Sequence, residues 1–361
     1  MASFTKRYGK WQARLYWIHD GKRHFKTQGG FSTKALAKQW AASQEDKLAN
    51  GIAIDKEIGF ASYFDKWYQT YKDPKISRVT KMEYRRAYHF LNDYFKDQKI
   101  KNITRLKYQK FINQFGKNHA PATVRKFNGF YRACVKSAIL DDYLTKDFTQ
   151  SVELAANKDR IVKVEYLNVA EIKKLVKYTT AHLNPAHTSS YMILTAIYTG
   201  MRKEEIQALT WADIDFIHQT IDINKAYDEH THEFKPVKTV SSKRKIKVNA
   251  DLLKVLSQLK LRAHSTLVFF NDDRSIPTSN ALNKQLHRLL QAINADKCGF
   301  HFHSLRHSHV ALLLSQGIDI YAISKRLGHS NIKTTANIYA YMIDEYRAQT
   351  DKQIIKALSI L

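Results

Sequence analysis

Four amphipathic stretches follow one another between residues 57 and 155, and they constrain the fold more than any other feature of the chain. In the first stretch, Phe60, Phe64 and Trp67 recur at the spacing of one helix face. Pro74 ends that pattern, because proline cannot continue a helix. The other three stretches run from about Val79 to Phe95, from Thr104 to Phe115 and from Pro121 to Leu140. The aromatic stripes predict the core of an all-helical bundle rather than a surface for base stacking.

The first 50 residues have a different pattern. WQARLYWI alternates apolar and polar side chains with a period of two, which is typical of a strand with one buried face. Asp20-Gly21 then predicts a tight hairpin turn. After the strands, Ser32 or Thr33 is a cap for a helix that runs toward Asn50. We therefore expect a small basic sheet with one helix.

The polar segment AANKDRIVKV, Ala155–Val164, ends the patterns on both sides and is interpreted as a linker. Beyond it, helical patterns mix with short strand-like runs (IDINKAY and RKIKV), and Asn168 with Glu171 forms a capping-box variant. Three domains are expected: 1–52, a sheet and a helix; 57–156, an all-α bundle; and 165–361, a mostly α domain with a small β-sheet (α+β). The last domain ends in a short amphipathic tail, DKQIIKALSIL.

Positive charge is spread over the whole chain. Lys and Arg number 59 against 33 acidic residues, a net charge of +26. Residues 1–50 carry 10 basic and 3 acidic residues, and residues 51–160 carry 22 and 12. A polyanion that contacts every domain explains this distribution better than a basic tail or a merely basic surface. The candidate contacts to double-stranded DNA are Arg14, Lys22, Lys26, Arg85, Arg86, Arg125 and Lys126.

Several classes of protein are disfavoured by the sequence. No apolar run reaches the length of a membrane span, and the N-terminus lacks a signal core, so we expect a cytoplasmic protein. Cys134 and Cys298 lie in no CxxC pattern and are expected to be free thiols. The chain has no phosphate-binding glycine loop, no HExxH and no acidic cluster for magnesium. Chemistry on a phosphodiester is therefore expected to use no metal and no cofactor.

The run FHFHSLRHSHV, Phe300–Val310, holds four histidines and an arginine. His303 and His307 are four residues apart, so on a helix they share a face, as zinc ligands would. Arg306 beside them would repel a dication, and the run contains no acidic residue. Structural histidines are a second interpretation. The third, which the arginine favours, is an anion site at a helix N-terminus.

Matching groups occur elsewhere in the same region. Arg202 follows a tight turn, and Glu205, three residues later, is placed to orient it. Lys238 lies in a lysine-rich hairpin, His329 follows the helix-ending Gly328, and Tyr339 comes ten residues later. Each of these signals is weak by itself.

Together and in this order, TGMRKEEIQALTW, PVKTVSSKR, HSLRH, LGHS and TTANIY resemble the tyrosine recombinases, the phage-type integrases. The motifs extend from about Thr199 to Tyr341. The resemblance implies that Tyr339 is the nucleophile that forms a 3′-phosphotyrosyl bond, and that Arg202 and Arg306 hold the non-bridging phosphate oxygens.

The same resemblance implies roles for the other motif residues. His303 would take or hold the tyrosine proton, and His329 would support the phosphate. Lys238 would protonate the leaving 5′-oxygen, with Lys235, Lys243, Lys245 and Lys247 as alternative lysines nearby. Glu205 would buttress the first arginine, and His307 would be supportive more than chemical. His301 and His309 match no functional position.

The resemblance also implies partners. We expect DNA attachment sites with core and arm sequences, a homotetramer on DNA and, as further candidates, a DNA-bending host protein and an excisionase. The reaction would integrate and excise a prophage or mobile element in a bacterial cell without metal or ATP. The alternatives are a DNA relaxer similar to type IB topoisomerases and an inert DNA-binding protein on the same scaffold.

Overall fold

The computed structural model describes residues 2–19, 22–49, 58–161, 164–237, 239–332, 335–336, 339 and 358–359. The chain divides into two compact units, Met1–Val162 and Lys163–Leu361. The architecture is mostly helical with small antiparallel sheets, which confirms the predicted fold class. None of the helices in the described ranges is long and apolar enough to cross a membrane.

The N-terminal strands form an antiparallel sheet in the order β1 (Ala2–Arg7), β2 (Lys10–His19) and β3 (Lys22–Phe31), followed by α1 (Lys34–Ala49). The Thr33 hydroxyl accepts a hydrogen bond from the Leu36 amide at 3.3 Å and so caps α1, as predicted. Ala13 and Leu15 are buried, whereas Tyr16 on the opposite face of β2 is exposed. The predicted alternation is therefore confirmed. The predicted turn at residues 20–21 lies outside the described residues.

The helical bundle of the first unit has a core of aromatic rings. Its helices are α2 (Phe60–Tyr71), α3 (Arg78–Phe95), α4 (Arg105–Lys117) and α5 (Pro121–Leu140). These bounds agree with the four predicted stretches to within two residues. Phe64 and Tyr131 are buried against each other with ring centroids 5.7 Å apart, and the Tyr108 hydroxyl donates to Asn128 at 2.8 Å. The aromatic stripes are thus core, as the sequence predicts.

The second unit places its helices around a buried central helix. The helices are α6 (Val169–Ala181), α7 (Ser189–Thr199), α8 (Lys203–Gln207), α9 (Ala250–Lys260), α10 (Ser279–Ala292), α11 (Ser304–Ser315) and α12 (Ile320–Leu327). The capping box at the start of α6 is present, with hydrogen bonds of 2.9 and 2.8 Å between Asn168 and Glu171. Residues of α7 are buried nearly all round, and α7 packs on α10 and α11. The C-terminal end of α7 is therefore fixed by packing, and the turn that follows it contributes residues to the site.

Two small sheets lie in the part of the unit that the structure describes. One has the strand order β4 (Ile214–Asp215), β5 (Thr220–Ile223) and β8 (Arg244–Lys247), and the other pairs β6 (Lys225–Asp228) with β7 (Glu233–Pro236). The run IDINKAY, predicted to be strand-like, is in strand conformation except at Asn224. Asn224 interrupts it, because its amide donates to Asp213 at 3.2 Å and to Asp222 at 3.0 Å. The run is divided between the two sheets. The predicted helix 334–342 and the tail lie almost entirely outside the described residues.

Candidate active site

The turn after α7 brings the first motif to the histidine-containing helix. Gly200 ends α7 in the left-handed region, with φ +66°, and its carbonyl accepts a hydrogen bond from Arg306 Nη1 at 2.6 Å. A Cβ at Gly200 would lie 2.6 Å from His309 Cδ2, so a side chain there would force α11 away. Both the backbone conformation and the close packing therefore require glycine.

Arg202 is oriented by Glu205, as the sequence predicts. The Glu205 carboxylate accepts from the Arg202 amide at 2.9 Å and from Arg202 Nη1 at 2.8 Å. The glutamate side chain is 3% exposed, whereas the arginine side chain is 26% exposed. The carboxylate thus holds the guanidinium from behind and leaves part of it open to a ligand.

Arg244 is a third arginine at the site, which sequence reasoning missed. Its Nη2 and Nη1 bind the two Glu205 oxygens at 2.9 and 3.2 Å, and its side chain is 7% exposed. Its Nε donates to the Arg326 carbonyl at 2.7 Å, at the end of α12. The signal was present in RKIKV, since strand alternation places Arg244 on the same face as the buried Ile246. A buried arginine needs hydrogen-bond acceptors, and the two oxygens of Glu205 are among those that Arg244 uses.

The end of α12 is bound by the arginines. Gly328 ends the helix with φ +72°, and Arg306 Nη2 donates to the Leu327 carbonyl at 2.8 Å. The same nitrogen lies 2.9 Å from His329 Nε2, and His329 Nδ1 lies 2.7 Å from the Thr335 hydroxyl. Because the guanidinium donates, His329 Nε2 accepts, and its Nδ1 carries the proton to Thr335. Arg306 and His329 are in this way fixed side by side.

The histidine run divides at the start of α11. His303 is the residue before the helix, and its ring lies 5.2 Å from the His307 ring. His307 Nδ1 lies 2.7 Å from the hydroxyl of Tyr339, which is 1% exposed.

His309 faces the interior instead, with Nδ1 donating to the Ile197 carbonyl at 2.8 Å and Nε2 accepting from Arg326 at 3.2 Å. His301 is exposed and bonds locally to Gly299 and Ser304.

The cluster formed by Arg202, Arg244, Arg306 and Glu205 carries more positive than negative charge. Burial and the nearby charge of Arg202 lower the pKa of Arg306 to about 9. Burial, followed by the charge of Arg306, lowers the pKa of His329 to about 4 and lowers the pKa of His303 as well. Glu205 is the buried acid between Arg202 and Arg244, and it does not balance the cations around it. Such an arrangement attracts an anion.

Over the ranges that the structure describes, no group of three or more His, Cys, Asp or Glu side chains is arranged to hold a metal ion. The histidine run instead contributes to the arginine cluster and to the tyrosine contact described above.

Lys238 lies outside the described residues. The segment that follows it packs close to the end of α12, since a Cβ at Gly328 would lie 3.0 Å from both the Ser241 carbonyl oxygen and Ser242 Cα. Arg202 Nη1 also lies 3.5 Å from the Ser242 hydroxyl. The loop after the predicted lysine therefore borders the arginine cluster.

The candidate DNA contacts of the N-terminal sheet differ in orientation. Arg14 lies on the exposed face, with its guanidinium 4.5 Å from the centroid of the Phe25 ring. Lys26 is opposite Leu15 on the other face and donates to Gln44 of α1 at 3.2 Å. The side chain of Lys22 lies outside the described residues.

The basic candidates of the bundle lie on two neighbouring helices. Arg86 of α3 and Lys126 of α5 both reach Glu83, at 3.4 and 2.7 Å. Arg85 and Arg125, which directly precede Arg86 and Lys126 in the chain, are exposed. The shared carboxylate shows that α3 and α5 present their basic side chains on one surface.

Arginines, histidines and a tyrosine of one helical unit converge on a site with excess positive charge, an arrangement suited to binding a phosphate next to a nucleophile. The model of the phage integrase family matches residues 165–345, and the model of the phage integrase N-terminal SAM-like domain matches residues 59–115. The chain belongs to the phage integrase family and is a tyrosine recombinase, an enzyme that breaks and rejoins DNA strands.

Individual relatives extend over most of the chain. The integrase of Staphylococcus phage L54a is 23% identical over 348 residues, which cover 86% of this chain and 97% of the relative. The solved structure of the Tn1549 transposon integrase with transposon right end DNA has a TM-score of 0.69 at 19% identity, covering 82% of this chain and 99% of that one. The lambda integrase tetramer bound to a Holliday junction has a TM-score of 0.56 at 16% identity, covering 91% and 95%.

Proposed function

We propose that this protein is a site-specific DNA integrase that cuts and rejoins DNA through a 3′-phosphotyrosyl intermediate on Tyr339. The observation that carries the proposal is the convergence of Arg202, Arg306 and His329 around excess positive charge, with the Tyr339 hydroxyl bound to His307 of the same helix as Arg306. The reaction integrates and excises a prophage or another mobile element. Relatives from a phage and from a transposon support both kinds of element equally.

The charges of the cluster suit the transition state of phosphoryl transfer. Arg202 and Arg306 hold the two non-bridging oxygens, where negative charge accumulates, and two such guanidiniums contribute several kcal/mol. His303 donates a hydrogen bond to the same phosphate, and His329 supports the phosphate through its contact with Arg306. Lys238 protonates the 5′-oxygen as the P–O5′ bond breaks. The phosphotyrosyl bond keeps the energy of the phosphodiester, so rejoining requires neither ATP nor a metal.

DNA is bound by each part of the chain. Residues 1–52 read arm-type sequences through the exposed sheet face that carries Arg14. Residues 57–156 contact the core site through the basic surface of α3 and α5, and residues 165–361 form the catalytic domain. The spread of the positive charge over all three segments supports this division.

Assembly on DNA is proposed to be tetrameric, because strand exchange pairs four cleavage events and because the lambda integrase was solved as a tetramer on a Holliday junction. A DNA-bending host protein and an excisionase set the direction of the reaction, which takes place in the cytoplasm of a bacterial host.

The DNA attached to the protein tests this function directly. Covalent complexes are collected under denaturing conditions with EDTA present, and the attached DNA is sequenced. An integrase yields one class of related sequences, with element and chromosome ends on either side. A relaxer similar to type IB topoisomerases would yield many unrelated sequences, and an inert DNA-binding protein would yield none.

A further inference from the structure

We propose that His307 is a catalytic residue whose Nδ1 accepts the proton of Tyr339 as the tyrosine attacks the phosphate. The inference rests on the proposed function, since it requires Tyr339 to be the nucleophile. It assigns the proton to the second histidine of HSLRH, whereas the resemblance assigns it to His303.

The geometry of the pair supports direct proton transfer. His307 Nδ1 and the Tyr339 hydroxyl are 2.7 Å apart, a short distance for a hydrogen bond from a hydroxyl to a nitrogen. The tyrosine is 1% exposed, so water does not compete for its proton in this arrangement. A base must lie within hydrogen-bond distance of the proton that it removes, and His307 meets this condition.

The charges around His307 keep it in the form that the reaction needs. Burial and then the charges of His303, Arg306, His301 and His329 lower the pKa of His307 to about 4. The imidazole is therefore neutral near pH 7, with the proton on Nε2 and a lone pair on Nδ1. A phosphodiester among the same cations adds negative charge close by, and it raises the basicity of His307 when the substrate is in place.

The transfer balances within the proposed reaction. The Tyr339 oxygen forms a bond to phosphorus while its proton moves to His307 Nδ1, which gives an imidazolium. The P–O5′ bond breaks, and the 5′-oxygen takes a proton from Lys238. In the rejoining step the 5′-hydroxyl attacks the phosphotyrosine and returns its proton to Lys238, while His307 returns its proton to the leaving tyrosine oxygen.

His303 is then free for a different contact. It precedes α11 beside Arg306, and its ring stands nearly perpendicular to that of His307 at 80°. From this position it donates to a phosphate oxygen. In this proposal His303 contacts the phosphate and His307 contacts the nucleophile.

The test is single-turnover cleavage of a nicked suicide substrate by the full-length protein with His307→Asn. Asparagine places an acceptor oxygen near the position of Nδ1 but is not a base, so the contact remains while the proton acceptor is lost. We expect cleavage to slow by about 10²- to 10⁴-fold with DNA binding unchanged. His301→Asn, in the same run but exposed, is the matched control and is expected to cleave at the wild-type rate.

A fluorinated tyrosine at position 339 separates proton acceptance from structure. Fluorination lowers the phenol pKa, so it should restore much of the rate to His307→Asn and little to a variant that is only misfolded. Cleavage by His307→Asn at or above the wild-type rate would overturn the proposal. A faster rate would show that the contact holds the tyrosine in an inactive position.

A second measurement needs no substitution of His307. The wild-type cleavage rate falls on the acidic side as His307 is protonated, and fluorination of Tyr339 should leave the midpoint of that fall in place. A midpoint that follows the phenol pKa would overturn the proposal. Absence of any adduct from the wild-type protein would instead refute the proposed function.

Discussion

The replacement Glu205→Gln tests the physical basis of the arginine cluster. The Glu205 carboxylate binds Arg202 at 2.8 Å and Arg244 at 2.9 Å, and it is almost fully buried. Glutamine keeps the shape but removes the charge, and its amide turns a donor toward one of the two guanidiniums. Arg244, with a side chain 7% exposed, then stays buried beside another cation without a counter-charge.

The expected loss of stability follows from this burial. Removing one partner of a buried ion pair costs about 3–5 kcal/mol, because the other charge stays desolvated. Arg202 adds little to this value, since it is partly hydrated. For a unit of this size the change corresponds to a decrease in Tm on the order of 10 °C. Sulfate or phosphate should stabilise the variant more than the wild type, because an anion replaces the missing carboxylate.

Urea unfolding of the full-length protein, followed by circular dichroism, measures the effect. Glu204→Gln is the matched control: its side chain is 44% exposed and lies 3.7 Å from Lys203, so we expect a change below about 1 kcal/mol. Burial raises the pKa of Glu205, but the hydrogen bonds and charges of Arg244 and Arg202 outweigh this effect and lower it below the usual 4.5. The wild-type advantage should therefore be complete above pH 4.5 and shrink as the pH falls through the lower folded-state value. Equal stability of the two glutamine variants would refute the reasoning.

Further predictions concern packing, acid sensitivity and DNA binding. Gly200→Ala should destabilise the protein by about 2–4 kcal/mol, because it places a side chain on a left-handed residue and a Cβ 2.6 Å from His309. Gly299→Ala, with φ +79° and open space around its Cβ, should cost only about 1 kcal/mol, and equal losses in thermal unfolding would contradict the packing argument. Burial lowers the pKa of His307 and His329 to about 4 and the pKa of His309 to about 3. As the pH falls below about 6.5 the unfolded chain binds protons before the folded protein does, so the free energy of unfolding should decrease. Unfolding curves that coincide at pH 7 and pH 5 would contradict this prediction. DNA affinity should fall on the order of a thousandfold between 50 and 200 mM salt, and a flat response in a binding titration would exclude an extended phosphate interface.

Much of the fold was predictable because local signals agreed with the final packing. The aromatic spacing of the bundle, the cap at Thr33 and the capping box of Asn168 and Glu171 all appear in the structure as predicted. The division of IDINKAY was not predictable, because it depends on Asp213 and Asp222 binding Asn224 in three dimensions. Strand periodicity contains no information about such a polar interruption.

The local contact of the site was predictable from the sequence, whereas its long-range contacts were not. The pairing of Arg202 with Glu205 follows from their spacing on one helical turn, and the structure shows it. Arg244 was missed because its partner is 39 residues away along the chain. The contact between His307 and Tyr339 joins α11 to a residue 32 positions later, a separation that no periodic pattern describes.

The identity of the nucleophile is the most direct test of the central claim. The wild-type protein, Tyr339→Phe and Tyr341→Phe are incubated with nicked substrates that carry the attachment site, and the adducts are digested and mapped by mass spectrometry. We predict that the wild type and Tyr341→Phe form an adduct on the peptide that contains Tyr339, and that Tyr339→Phe binds DNA equally well but forms none. An adduct that persists in Tyr339→Phe, or that maps to another residue, would contradict the account.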